Sequence, residues 1–201
     1  MRKGPVRFEN PIDTVLIDIG SYLSPLFRKL HFTPNTLTSF SAIFGFLAVY
    51  KMYQKEYRKA GILYFISYMF DCFDGFYARK YNMITKYGDY YDHIKDNMVV
   101  IPLLFMLFRE YWKKDKLIKY IPFLLFFTFI CSVIQLGCIE VHWEIKNKTP
   151  NQNPSMESMK KLCVANDMRS AERIIQKIRH LGCGTSVLCI SLTIIYLEYL
   201  K

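Results

Sequence analysis

Two pairs of aspartates are the residues of this chain best suited to carry chemistry. Asp71 and Asp74 lie three residues apart, and Asp92 and Asp96 lie four apart. Side chains at these spacings share one face of a helix, so each pair presents two carboxylates together. Carboxylates gathered without cations repel one another, and all-oxygen ligation suits Mg²⁺ or Mn²⁺ rather than zinc. The two pairs therefore predict a site for hard divalent cations.

The residues around the acids indicate what such a site would bind. Two hard cations about 4 Å apart commonly hold a diphosphate and stabilise its displacement, so two ions are expected. The small residues Gly75, Ala78 and Gly88 leave room for a bulky ligand close to the backbone. Arg79 is placed to offset phosphate charge. Two helices joined by a short link would point all four acids at one another.

A simpler interpretation is a solvated network of ion pairs at the helix ends. Its cations would come from the neighbouring basic residues Arg79, Lys80, Lys86 and Lys95. Such pairs are common on protein surfaces and contribute little energy. A network of this kind explains any one acid more easily than four acids with small residues in register, so the metal site is favoured.

The acids interrupt a series of apolar segments of membrane length. These segments cover residues 36–53, 60–78, 87–108, 118–139 and 181–200. About 20 apolar residues suffice to cross a bilayer as a helix, and ionisable side chains inside such spans mark functional sites. We therefore predict an all-α, polytopic membrane helix bundle with five to six transmembrane helices.

The segment before the first span has the pattern of a helix lying at the membrane surface. Apolar residues including Val15, Ile19 and Leu26 recur at helical spacing, but the segment is too polar to span. Pro25 is expected to bend or end this interfacial amphipathic helix.

We expect the whole chain, residues 1–201, to form one domain. An amphipathic N-terminal segment (1–34) precedes the catalytic spans (35–139), a polar cytoplasmic segment (140–180) and a last span (181–200). Within the polar segment, a helix is expected to follow Asp167.

Composition narrows the classes of partner and the location. The net charge is +10, which suits nucleic acid or anionic lipid, but hydrophobic residues reach 52% in membrane-length blocks. A lipid bilayer is therefore predicted, and nucleic acid is not. Lys and Arg are more frequent in the loops on the N-terminal side, which places the acids at the cytoplasmic face. The six cysteines form no metal-binding or CxxC spacing and are expected to be free thiols.

The acid-rich stretch resembles the signature of the CDP-alcohol phosphotransferases, D-x2-D-G-x2-A-R-x8-G-x3-D-x3-D. Every fixed position is matched, by Asp71, Asp74, Gly75, Ala78, Arg79, Gly88, Asp92 and Asp96. The resemblance extends over residues 11 to about 110, and beyond that only the hydropathy is similar. The polar segment 140–180 departs from the family pattern, which expects a span there.

The resemblance implies an integral membrane enzyme of phospholipid synthesis, in the endoplasmic reticulum if the source is eukaryotic. Such enzymes transfer a substituted phosphoryl group from a CDP-linked donor to an alcohol acceptor and release CMP. Homodimers are common among them. By analogy, Asp71, Asp74 and Asp92 would bind metal, and Asp96 would be a ligand and general base. The residues Gly75, Ala78, Arg79 and Gly88 would line the CDP pocket.

The resemblance leaves the alcohol open. The Asp92-His93 pair resembles choline and ethanolamine phosphotransferases, where that His is a proposed base. The run from Ala78 to Asn82 instead resembles the phosphatidylinositol synthases, which use CDP-diacylglycerol. A catalytically silent membrane scaffold with the same fold is a further alternative.

Overall fold

The computed structural model describes residues 5–114, 117–147, 159–165 and 167–200, and all regular structure in these ranges is helical. The predicted all-α fold is therefore confirmed. The α-helices are α1 (Pro11–Lys29), α2 (Pro34–Tyr53), α3 (Tyr57–Lys80), α4 (Lys86–Trp112), α5 (Ile121–Asn147), α6 (Met168–Ile178) and α7 (Cys183–Tyr196). Short 3₁₀ turns occur at Val6–Phe8, Ile118–Tyr120 and Arg179–Leu181.

Side-chain caps fix where several helices begin. The Asn10 side chain accepts a hydrogen bond from the backbone N–H of Ile12 at the start of α1. Asp167 caps α6, so the helix predicted after Asp167 is confirmed. At the start of α4, the Thr85 hydroxyl accepts from the backbone N–H of Gly88 at 3.0 Å. Each cap satisfies an N–H that the helix itself leaves without an acceptor.

Helix α1 continues through Pro25 to Lys29, so of the two outcomes expected at this proline, a bend or an end of the helix, the end does not occur. A proline lacks the N–H that would bond to the carbonyl four residues earlier, which here belongs to Ser21. The hydroxyl of Ser24 donates to that Ser21 carbonyl at 2.8 Å and replaces the missing bond.

The expected five to six transmembrane helices are not confirmed. Two stretches of the described chain are long and apolar enough to span, Ile118–Lys146 and Met168–Tyr196. The pair formed by α1 and α2, bent by 115°, makes a third if the two helices count as one broken span. The acid-bearing helices α3 and α4 are long enough, but they are not among these candidates.

Helix α2 is the central packing element of the acid-bearing half. It packs most extensively on α3 and also packs on α4, whereas α3 and α4 make little direct backbone contact. The two acid-bearing helices, which were expected to point their acids at one another, therefore both pack on α2 more than on each other. Small residues allow α2 to approach both neighbours: Ser41 Oγ lies 3.3 Å from Ser67 Oγ, and a Cβ on Gly45 would meet Val99.

The C-terminal half differs from the expected polar segment. Helix α5 extends to Asn147, beyond the predicted end at residue 139. Its last turns bury Glu140 and His142, and His142 Nε2 lies 3.1 Å from Glu172 Oε1 on α6. Polar side chains are therefore buried inside the bundle here. The polar composition of this segment does not mean that the segment is exposed to solvent throughout.

The expectation of six free thiols is wrong for two of them. Cys138 on α5 and Cys163 form a disulfide, while Cys72, Cys131, Cys183 and Cys189 are free. The disulfide joins residues 25 positions apart, and their spacing follows no short motif. Only the fold brings the two sulfurs together, so the sequence pattern carried no signal for the bond.

Candidate active site

Three of the four predicted acids converge. Oxygen atoms of Asp71, Asp74 and Asp92 lie within 4.8 Å of one another, and these residues form a group able to hold a metal ion. Asp71 and Asp74 come from the C-terminal half of α3, and Asp92 comes from the second turn of α4. Their oxygens suit a hard divalent cation.

Asp74 is the most deeply buried member of this group and is held by α2. Its side chain lies beside Thr38, whose hydroxyl donates to Asp74 Oδ2 at 2.6 Å. Asp74 and Thr38 are both buried. A carboxylate held in this way keeps one oxygen in a fixed direction, which is how outer residues orient metal ligands.

A lysine ammonium lies among the acids. Lys95 Nζ pairs with Asp71 and lies 3.1 Å from Asp92 Oδ1 and 2.7 Å from Asp96 Oδ1. The Lys95 side chain is 3% exposed, whereas Asp96 is 51% exposed. Within the described residues, Asp96 is outside the group of converging ligand oxygens and is connected to it by Lys95.

These contacts agree only in part with the alternative interpretation, in which the acids form solvated ion pairs with neighbouring basic residues. Lys95 does pair with three acids, but it is buried rather than solvated. Lys80 donates to the hydroxyl of Ser24 on α1 instead.

The donor set fits a divalent metal ion. Asp92 Oδ1 is buried and receives no hydrogen bond from the described residues, although Lys95 Nζ is at ion-pair distance. The single Lys95 charge does not balance three converging carboxylates, and carboxylates gathered in this way repel one another unless further cations are present. The donor set therefore matches Mg²⁺ or Mn²⁺ ligation, which residues Asp71, Asp74 and Asp92 would provide.

The acids open onto a cavity of about 380 Å³. Its wall includes all four acids together with Gly75, Arg79 and His93. Residues of α1, α3, α5 and α7 also line it, and apolar side chains such as Phe129, Leu136 and Ile190 are among them. One space is therefore bordered both by the acids and by apolar side chains.

The small residues of the motif occupy different surroundings. A Cβ on Gly75 would lie 3.2 Å from Arg79 Nη1, so the glycine leaves room for this guanidinium beside the cavity. Ala78 and Gly88 are not among the residues that line this cavity. A Cβ on Gly88 would lie 3.0 Å from Asn35 Oδ1, so this glycine permits a close approach of α4 to the start of α2.

His93 lies at the cavity wall with one ring nitrogen engaged. Its Nδ1 is 3.1 Å from the carbonyl oxygen of Asp89, one turn earlier on α4. A carbonyl only accepts, so Nδ1 carries the hydrogen in this contact and Nε2 is left as the basic nitrogen.

Several residues at the site were missed from the sequence. Asp13 on α1 and Tyr68 on α3 line the cavity, and the Tyr68 hydroxyl donates to Asp13 Oδ1 at 2.7 Å. Asp13 is one of the polar residues between the apolar positions of α1, and no local sequence pattern indicates that it faces the cavity. Lys95 did carry a signal, since it lies three residues after Asp92 and hence on the same face of α4.

Comparison with known proteins gives relatives and a family. Two curated relatives, from Rickettsia felis and Rickettsia typhi, are each named CDP-diacylglycerol--glycerol-3-phosphate 3-phosphatidyltransferase. They are 41% and 42% identical to this chain over 54 residues, which is 26% of this chain and 30% of each relative. The matched region thus spans less than a third of these relatives. No solved structure matches significantly.

The family model of the CDP-alcohol phosphatidyltransferases matches residues 31–165, about two thirds of the chain, including the four acids, the cavity-lining Arg79 and the disulfide. The family named from the spacing of the motif is thus confirmed, and the chain belongs to the CDP-alcohol phosphatidyltransferase family.

Proposed function

We propose that this protein is an integral membrane enzyme that transfers a substituted phosphoryl group from a CDP-linked donor to an alcohol and releases CMP. The observation that carries the proposal is the convergence of the Asp71, Asp74 and Asp92 carboxylates at the wall of a cavity. The apolar side chains that also line this cavity suit a substrate with a lipid part. Membership of the family supports the reaction class.

The residues at the site divide the work of binding and proton transfer. Asp71, Asp74 and Asp92 would hold Mg²⁺ or Mn²⁺, with two ions expected in the full site, and the bound metal would stabilise the charge of the diphosphate. Arg79 binds phosphate oxygens from the cavity wall. Asp96 faces solvent more than the other acids, so it can accept the proton of an entering alcohol hydroxyl.

His93 is the alternative base. Its Nε2 is the basic nitrogen of a ring that lines the cavity, and the Asp89 carbonyl orients that ring. Gly75 leaves room for the Arg79 guanidinium at the cavity wall. The role of Ala78 and Gly88 in the CDP pocket stays a prediction. Replacing His93 and Asp96 separately distinguishes the two bases by the pH profile of CMP release.

We propose CDP-diacylglycerol as the donor. The names of the similar Rickettsia proteins include this donor and glycerol 3-phosphate as the acceptor. Of the two alternatives that the sequence left open, this favours the donor of the phosphatidylinositol synthases over CDP-choline or CDP-ethanolamine. A phosphorylated polyol is accordingly the acceptor class to test first.

The bilayer is the proposed environment of the whole chain. Helix α5 exposes Phe123, Leu124, Phe126 and Phe127, and α1 exposes Val15, Tyr22 and Leu26. Large apolar side chains exposed along helices of this length suit contact with lipid. The interfacial position of α1, the cytoplasmic orientation, the homodimer and a count of five to six spans stay predictions.

The proposal is tested by replacing a metal ligand. Asp92→Asn should reduce CMP release from CDP-diacylglycerol by about 100-fold or more, because a neutral amide binds a divalent cation far less well than a carboxylate. CMP is measured with purified protein in lipid nanodiscs, and folding is checked by gel filtration and thermal unfolding. Asp18→Asn, at an exposed position on α1, is the control and should retain activity. Full activity of folded Asp92→Asn contradicts the proposal.

A silent scaffold remains the second candidate because of one observation. Lys95 Nζ pairs with Asp71 and Asp96, at the place where metal would be expected. A scaffold of this kind would release no CMP from CDP-diacylglycerol, CDP-choline or CDP-ethanolamine with any acceptor tried. CMP release from any one of these donors that depends on Mg²⁺ or Mn²⁺ excludes it.

A further inference from the structure

Lys95 places a positive charge within the carboxylate cluster. Its Nζ pairs with Asp71 and lies 3.1 Å from Asp92 Oδ1, and these two acids belong to the group of three that could hold a metal. The ammonium also donates to the Ser41 hydroxyl on α2 at 3.1 Å. Oxygens of α2, α3 and α4 thus surround one buried cation.

A divalent ion bound by the same carboxylates would lie close to this ammonium. Two cations a few ångströms apart repel strongly where little water screens them. Lys95 contacts Asp71 and Asp92, which are two of the three residues that offer ligand oxygens. Metal binding and the present position of Lys95 are therefore in competition.

We propose that Lys95 is a built-in cation that neutralises the acid cluster before metal binds and that a divalent ion must displace. The proposal rests on the metal-binding part of the proposed function. Its consequence is regulatory: the lysine weakens metal affinity, so the site fills only when the concentration of divalent ion is high enough to compete.

The surroundings of Lys95 allow the displacement. Its side chain is a flexible four-carbon stem, and an ammonium can exchange one oxygen partner for another without fixed geometry. Asp96, which it contacts at 2.7 Å, is half exposed and borders the cavity. Lys95 can thus release Asp71 and Asp92 and keep its ion pair with Asp96.

The test is Mn²⁺ binding to the full chain in lipid nanodiscs, measured by calorimetry and by the electron paramagnetic resonance signal of free Mn²⁺. Lys95→Met keeps much of the side-chain length and removes the charge, and it should lower the Kd for the first Mn²⁺ by about tenfold or more. Lys95→Arg keeps the charge and should bind no more tightly than wild type. Lys86→Met removes a charge from an exposed position of the same helix and should change the Kd by less than about twofold.

A second measurement on the wild-type chain covers the case in which Lys95→Met does not fold. Modification of Lys95 by an amine-reactive reagent, followed by mass spectrometry, should increase severalfold when Mn²⁺ saturates the site, with Lys86 as the internal reference. Unchanged or weaker Mn²⁺ binding by folded Lys95→Met overturns the proposal. So does labelling of wild-type Lys95 that Mn²⁺ leaves unchanged.

The outcome separates this inference from the proposed function. Suppose that Lys95→Met binds Mn²⁺ more tightly and that the wild type releases no CMP from any donor. This result would support the proposed role of the lysine and contradict the proposed enzyme activity. Metal-dependent CMP release with equal Mn²⁺ affinity in the wild type and Lys95→Met would support the enzyme and contradict the lysine's role.

Discussion

At the scale of single residues, the site depends on side chains that hold the acids as much as on the acids. Thr38 shows this dependence. Its hydroxyl donates to Asp74 Oδ2 at 2.6 Å, and both side chains are buried. Asp74 could turn away from Asp71 and Asp92 if this bond were absent. Residues that orient metal ligands typically contribute about 10–100-fold to metal affinity.

Replacing this hydroxyl gives a prediction about metal binding. Thr38→Val is close to isosteric, so it should weaken Mn²⁺ binding by about tenfold while leaving the protein folded. Mn²⁺ titration of the protein in nanodiscs measures the change. Thr14→Val is the matched control. The Thr14 hydroxyl donates to the Asn10 carbonyl at the start of α1 and not to a carboxylate of the site. Equal loss of affinity in the two variants would show that the Thr38 hydroxyl has no specific role.

The sequence predicted those site residues whose spacing is local. Asp71, Asp74 and Asp92 follow helical spacing, and the structure brings their oxygens together. Asp13 could not be predicted, because its place at the cavity depends on how α1 packs against α3. Thr38 is a similar case: it lies 36 residues before the carboxylate that it contacts.

At the scale of helices, two glycines allow neighbouring helices to pack closely. Gly61 on α3 faces α7, where a Cβ would lie 2.5 Å from the carbonyl oxygen of Ser191. Gly45 on α2 would instead meet side-chain atoms of Val99, the nearest at 2.6 Å. A side chain can change its rotamer, whereas a backbone carbonyl moves only with its helix.

The two glycines should therefore respond differently to alanine. Gly61→Ala should lower the free energy of unfolding by about 2–3 kcal/mol, because α7 must shift away from α3. Gly45→Ala should lower it by about 1 kcal/mol, since Val99 can adjust. Thermal unfolding of both variants under one detergent condition gives the comparison. A larger loss for Gly45→Ala would contradict this account of the two contacts.

The sequence predicted the main helices better than their ends or partners. Apolar runs placed α2 to α5 and α7 along the chain, because burial in helices requires long apolar segments. They could not show that α2 lies between α3 and α4, since hydropathy carries no information on neighbours. They also ended α5 at residue 139, because Glu140 and His142 are polar, although the fold buries both.

At the scale of the whole molecule, the N-terminal region is fastened to the C-terminal helices. Asn10 Nδ2 donates to the Arg179 carbonyl at 2.8 Å and to the Thr185 hydroxyl at 2.8 Å. Gln135 Nε2 on α5 donates to the Phe8 carbonyl at 3.0 Å. These contacts hold α1 against the end of the bundle that contains Asp13 and the cavity. No hydropathy pattern predicts them, because the partners are more than 100 residues apart.

Asn10 should therefore contribute strongly to the stability of the whole chain. Asn10→Ala removes the cap of α1 and leaves two partly buried acceptors, the Arg179 carbonyl and the Thr185 hydroxyl, without this donor. The two effects together should lower the free energy of unfolding by about 2–4 kcal/mol. The expected decrease in Tm is about 4–16 °C, measured by thermal unfolding in detergent. Asn97→Ala is the matched control, because the Asn97 amide is exposed and bonds a carbonyl of its own helix. If both variants unfold at the same temperature, the contacts of Asn10 do not hold the two ends of the chain together.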